Sequence, residues 1–126
     1  MRGILAFDGR CGMCTRVVNR IARWNRTGWL QIEPFQTPEI ADRLKVPDDR
    51  LYESAWWLDS SGQVFAGAHA MNAALSAALG TRLPLLIYQI PGVGWLQNVI
   101  YRWVATHRYH FRGVTPLCEA QPERCA

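Results

Sequence analysis

Asp8-Gly9-Arg10-Cys11-Gly12-Met13-Cys14 is the segment whose residue types and spacing can do chemistry. Two residues between two cysteines at a helix start bring the sulfurs within disulfide reach. The first cysteine then sits where free backbone N–H groups and the helix dipole favour an anion. A thiolate held there has a lowered pKa and serves as a nucleophile and leaving group. Cys11 is therefore read as the attacking thiolate and Cys14, one turn on, as the shielded thiol that resolves a mixed disulfide. Arg10 is adjacent to Cys11 and adds positive charge, and Arg16 is a more distant candidate. Gly12 leaves room for a substrate sulfur, with Gly9 and Met13 completing the support. Asp8 has two competing readings. It relays a proton for Cys14, or it caps the helix by accepting N–H bonds; a carboxylate near the thiols raises their pKa. The chemistry requires no metal or organic cofactor, only a thiol or disulfide substrate, protein or small molecule, and a reductant that recycles the pair.

This segment needs a strand before it and a helix after it, and the pattern supplies both. Residues 3–7 are a short apolar run closed by Asp8-Gly9, which predicts a buried strand and a turn. Cys14, Val17, Val18 and Ile21 fall at helical spacing, with Arg16, Arg20 and Arg23 largely opposite. Trp29–Glu33 reads as a second strand stopped by Pro34, so the first 34 residues form a βαβ unit with parallel strands. Thr37, Pro38 and Glu39 open a short helix over 37–45, and Pro47-Asp48-Asp49 reads as a turn. Residues 54–58 and 63–66 form an antiparallel hairpin about Asp59–Gly62. An Ala-rich helix over 68–79 presents Met71, Ala74, Leu75, Ala78 and Leu79, with Gly80 as its C-cap. A short apolar helix after Pro84 and a long one from about Gly94 to Phe111 follow, the latter with Leu96, Val99, Ile100, Trp103, Val104 and His107 on its apolar face. The fold class is α/β: a mixed four-stranded sheet with helices on both faces and a helical extension over 83–111. Residues 1–112 read as one domain and 113–126 as a flexible tail.

Composition bounds the function. The chain has 126 residues, 49% hydrophobic and 19% charged, which excludes extended disorder and suits one domain. Thirteen arginines and Lys45 against 10 acidic residues give +4, with no run of five like charges, so no nucleic-acid partner is expected. The N-terminus does not read as a signal peptide. Residues 83–101 carry no charge and approach the length of a membrane span, but Pro91, Gly92 and Gly94 break them and Gln89, Gln97 and Asn98 are polar. They read as two buried helical pieces with a bend. The chain is expected not to be transmembrane and, by default, to be cytoplasmic, with reduced thiols.

Phe-Asp-Gly-Arg-Cys-Gly-Met-Cys (7–14) resembles the signature of the DCC family of thiol-disulfide oxidoreductases. Asp59–Val64, Gly67-Ala68-His69-Ala70 and Tyr101–Arg108 resemble further stretches of that family, the last its Tyr-x-x-Val-Ala-x-x-Arg pattern. The resemblance covers about residues 3–111 and implies a thioredoxin-like fold with dithiol–disulfide activity. One departure is visible: thioredoxins place a cis-proline just before the third strand, where this chain has Leu51-Tyr52-Glu53-Ser54, so the substrate groove differs.

Rival readings accompany each feature. Cys11 and Cys14 could be half of a zinc site completed by Cys118 and Cys125, or by His107 and His110, although six residues between Cys118 and Cys125 exceed the usual ligand spacing. They could also be inert core residues. The chain could be an interaction or membrane-partner docking module built on 83–101, or a glutaredoxin-like, glutathione-dependent enzyme using Cys11 alone. Cys118 and Cys125 read as tail thiols without a role, with a second disulfide or a relay to Cys11 as the functional alternative. His69 reads as a surface or capping residue. Trp56 and Trp57 point to opposite sheet faces. Trp24 and Trp29 read as anchors of the first helix, and Tyr101 and Arg108 as partners in internal bonds.

Overall fold

The computed structural model describes residues 2–110 and 113–125. Phe111, the expected end of the long helix, lies outside the described residues, as do Met1, Arg112 and Ala126. The strands are β1 (Gly3–Phe7), β2 (Leu30–Pro34), β3 (Trp56–Asp59) and β4 (Val64–Ala66). They form one sheet in the order β2-β1-β3-β4. β1 runs parallel to β2, with Leu5 opposite Ile32, and antiparallel to β3, with Leu5 opposite Trp57. β3 and β4 form the antiparallel hairpin, with Trp57 opposite Phe65. This is the thioredoxin-like α/β architecture, with helices on both faces.

One face carries α1 (Gly12–Arg23) and α4 (Gly67–Leu79); the other carries α2 (Pro38–Leu44) and α3 (Asp48–Leu51). The alternation of β1 divides its side chains between two cores. Leu5 and Phe7 join Val18, Ile21 and Trp57, while Ile4 and Ala6 join Phe35, Ile40 and Trp56. Both tryptophans of β3 are thus buried, on opposite faces. The turn expected at Pro47 is instead the helical turn α3, which buries Leu51 and offers its carbonyl to Trp56 Nε1 at 3.1 Å.

Two expected helix faces are corrected. The buried stripe of α4 is Ala70, Ala73, Ala74, Ala77 and Ala78, because small side chains let that helix lie close to β1 and β3; Leu79 is exposed. Val17 of α1 faces a surface cavity rather than the core.

The larger correction concerns 83–101. The bend is there, between α5 (Leu83–Tyr88) and α6 (Val93–Thr106), but neither helix holds a buried residue. They rest on α4 along one edge, through Leu85 N–H to Ser76 Oγ (3.2 Å) and Asn72 Nδ2 to Gln97 Oε1 (2.6 Å). Their remaining apolar surface has no further layer to cover it, so Leu83, Leu86, Ile90, Leu96, Ile100 and Trp103 face outward, and Trp95 is 71% exposed. Among the described residues no helix is long and apolar enough to cross a membrane. Trp95→Ser should therefore change unfolding free energy by no more than about 0.5 kcal/mol in urea titrations. Trp57→Ala, in the core, should cost about 3–5 kcal/mol. A comparable loss from Trp95→Ser would mean that this face is covered.

Candidate active site

β1 delivers Asp8, Gly9 and Arg10 to the start of α1, and Cys11 stands at the N-cap. Its backbone is extended (φ −98°, ψ 117°), and its sulfur accepts the Cys14 N–H at 3.2 Å. The Cys11 carbonyl accepts both the N–H and the hydroxyl of Thr15 at 3.0 Å. An N-cap side chain normally satisfies one of the orphan N–H groups of a helix; here sulfur fills that role. Cys11 and Cys14 are both free thiols, the first buried and the second partly so. Burial pushes the Cys14 thiol well above its ordinary range. The hydrogen bond and charge of Cys11 push the same way, Asp8 adds to this, and Arg108 opposes it.

Asp8 is buried, and its oxygens are committed. Oδ1 accepts the Arg10 N–H at 3.0 Å and Gln36 Nε2 at 2.8 Å, and Oδ2 pairs with Arg108 at 3.2 Å. Gln36 also accepts the Gly9 N–H at 3.0 Å, and Arg108 donates to the Tyr52 carbonyl at 2.6 Å. The carboxylate thus orders the loop ahead of α1, while the cap belongs to Cys11. The guanidinium paired with Asp8 is that of Arg108, arriving from the turn after α6; Arg10 and Arg16 are exposed. Tyr101 accepts the Ala55 N–H at 2.7 Å, so α6 ties down the backbone just before β3, where thioredoxins carry their proline.

The residues that position the dithiol lie along the whole chain, and a comparison with known families covers almost the same span. The DCC1-like thiol-disulfide oxidoreductase family matches residues 5–114. The chain belongs to this family. No curated protein and no solved structure matches it.

Within this family member, Cys14 opens onto a cavity of about 330 Å³ lined mainly by apolar side chains, among them Phe7, Met13, Val17, Met71 and Ile100. Cys11 does not open to solvent. Its relative exposure is 0%, and the segment 113–125, expected to be a flexible tail, folds back over the start of α1. Val114 N–H reaches the Gly12 carbonyl at 3.3 Å, Leu117 N–H reaches Thr15 Oγ1 at 3.2 Å, and Cys118 N–H reaches the Gly9 carbonyl at 2.9 Å. The approach is close enough to need glycine on both sides. A Cβ on Gly113 would overlap the Gly12–Met13 peptide, and one on Gly9 would lie 2.7 Å from Cys118 Sγ. α7 (Leu117–Ala120) and a 3-10 turn over Pro122–Cys125 follow, joined by a Cys118–Cys125 disulfide. The two tail thiols expected to have no role are therefore bonded to each other.

Other expected candidates fall elsewhere. His69 is neither a cap nor a free surface residue. It stacks between Phe65 (3.9 Å) and Tyr88 (4.8 Å), and burial lowers its pKa. Trp29 packs against the core as expected, whereas Trp24 is exposed beside Arg20. His107 stacks on Trp103, and both His107 and His110 are exposed. Among the described residues no three or more His, Cys, Asp or Glu are grouped to hold a metal. Gln36 and Thr15 carry no sequence signal for their place beside the dithiol. Gln36 lies 28 residues from Asp8, and only the β1–β2 pairing brings it there.

Proposed function

We propose that the protein exchanges disulfides through Cys11 and Cys14, with Cys11 as nucleophile and Cys14 as resolving thiol. The observation that carries this reading is the Cys11 sulfur at the α1 N-cap accepting the Cys14 N–H. The Cys11 thiolate attacks one sulfur of a substrate disulfide. That disulfide breaks, and its other sulfur leaves as a thiolate. Cys14 then loses its proton and attacks the Cys11 sulfur, which frees the bound substrate sulfur and leaves a Cys11–Cys14 disulfide. Two electrons pass to the substrate, and an external dithiol restores the pair. Asp8, Gln36 and Arg108 act as positioning residues for the loop that holds Cys11. The apolar cavity beside Cys14 favours an apolar substrate segment over a strongly polar one such as glutathione.

The test is equilibration in glutathione buffers of varied ratio, followed by alkylation, site-resolved mass spectrometry and a zinc assay. A reversible Cys11–Cys14 disulfide is expected. A pair that never oxidises, or stoichiometric zinc released only on unfolding, would overturn the reading.

The docking-module reading has one observation in its favour, the uncovered apolar face of α5 and α6. It is compatible with dithiol chemistry, because the cavity at Cys14 reaches α6 through Ile100 and Tyr101.

A further inference from the structure

We propose that Cys118 and Cys125 form a second redox centre that exchanges electrons with Cys11 and Cys14 inside the same chain. The inference rests on the dithiol reading above and assigns the immediate partner of Cys11.

Position is the first argument. Cys118 donates its N–H to the Gly9 carbonyl, and its sulfur lies 2.7 Å from where a Gly9 Cβ would stand. Gly9 is two residues from Cys11, at most ~7 Å along the backbone. The strap is also laid down as a bound chain would be, with successive N–H groups of Val114, Leu117 and Cys118 taken up by Gly12, Thr15 and Gly9. Thr15 uses the same hydroxyl to hold the Cys11 carbonyl.

Connectivity is the second argument. The disulfide joins two positions seven apart, both within the strap, so it does not fasten the strap to the domain. That task falls to Arg124, which bonds the Ile32 carbonyl and Glu33 at 3.1 Å, and to the contact of Thr37 Oγ1 with the Arg124 carbonyl. Accessibility is the third. Cys118 and Cys125 are partly exposed, whereas Cys11 is sealed. An outside thiol or disulfide therefore reaches the strap pair before it reaches Cys11. Apart from Val114, the bonded strap residues lie beyond the span matched by the family.

The exchange balances without an outside reagent. The Cys11 thiolate attacks Cys118 Sγ and the Cys118–Cys125 bond breaks; Cys125 leaves as a thiolate and takes a proton from solvent. Cys14 then gives up its proton and attacks Cys11 Sγ. The Cys11–Cys118 bond breaks, and Cys118 leaves and is protonated. The dithiol becomes a disulfide and the strap disulfide becomes a dithiol, with the reverse sequence equally available.

The test uses the full chain. Cys14→Ser, oxidised so that Cys118–Cys125 is closed, is incubated anaerobically at pH 8 and quenched by alkylation over time. A Cys11–Cys118 crosslinked peptide should accumulate while Cys125 becomes alkylated. Its rate should be independent of protein concentration and roughly 100-fold faster than exchange between separate molecules at micromolar concentration. Wild-type protein given one two-electron equivalent of reductant supplies a second readout, because both disulfide isomers should appear and interconvert. A Cys118–Cys125 bond that persists in both experiments would overturn the relay and leave a plain staple. Cys118→Ser/Cys125→Ser separates the two readings. If Cys11–Cys14 still cycles in glutathione buffers there while the crosslink never forms in Cys14→Ser, only the relay fails. If Cys11–Cys14 never oxidises, the dithiol reading fails and the relay with it.

Discussion

With Cys118 and Cys125 both replaced by serine, Cys14→Ser is expected to accumulate a mixed disulfide with substrate through Cys11, and Cys11→Ser to lose disulfide exchange completely. The two cysteines differ because α1 treats them differently. Cys11 takes the N-cap, where its sulfur accepts an N–H of the first turn, while Cys14 is held as a thiol by burial and by Cys11 itself. A serine at Cys11 removes the nucleophile. A serine at Cys14 leaves the nucleophile and removes only the release step. The comparison is best made in the Cys118→Ser/Cys125→Ser background, so that the strap cannot capture Cys11, and read on non-reducing gels with mass mapping. Equal trapping by both variants would reverse or abolish the roles. Turnover of Cys14→Ser with glutathione would favour the glutaredoxin-like route.

The raised Cys14 pKa adds a pH dependence with a definite sign. Release needs the Cys14 thiolate, so below its pKa the mixed disulfide in otherwise intact protein should break down about tenfold faster per pH unit. Stability moves the other way. The folded state keeps a proton that the unfolded thiol loses near 9.0, so this contribution is present below that pH and is lost as pH rises above it.

The dithiol was legible in the sequence because strand, turn, helix and two cysteines are all local signals, each carried by residues within a few positions of the next. The βαβ–ββα order was legible for the same reason, through apolar runs and the turn at Asp59–Gly62. The exposure of 83–101 was not. A charge-free helix reads as core by composition, yet α5 and α6 pack mainly on α4 and each other, and a sequence does not state how many layers a fold has. Nor was the strap legible. Residues 113–125 carry turn-forming residues and little periodicity. Their order comes from bonds to Gly9, Gly12, Thr15 and Glu33, nearly a hundred or more positions away. Tyr101 and Arg108 were expected in internal bonds and make them, although Arg108 lies in the 3-10 turn past the end of α6.

Arg108→Met is expected to destabilise the fold by about 3–5 kcal/mol, because it takes the Arg108 guanidinium away from the buried Asp8 carboxylate. That is a large share of the roughly 5–15 kcal/mol by which a domain of this size is stable. The loss should appear as a lower urea midpoint with an unchanged slope. Asp8→Asn/Arg108→Met should cost less than the sum of the two single changes, since each substitution alone already removes the Asp8–Arg108 ion pair. Arg108→Lys should fall between wild type and Arg108→Met. Arg108 Nη2 serves Asp8 Oδ2 and the Tyr52 carbonyl together, and an ammonium on a flexible stem keeps the charge but not the planar fork. A kinetic readout separates this positioning role from simple stability. Arg108 pulls the Cys14 pKa down, so folded Arg108→Met should release its mixed disulfide more slowly than wild type, by the same factor at every pH below the Cys14 pKa. A variant that lost stability but kept the wild-type release rate would show that Arg108 holds the loop together without touching the chemistry of Cys14.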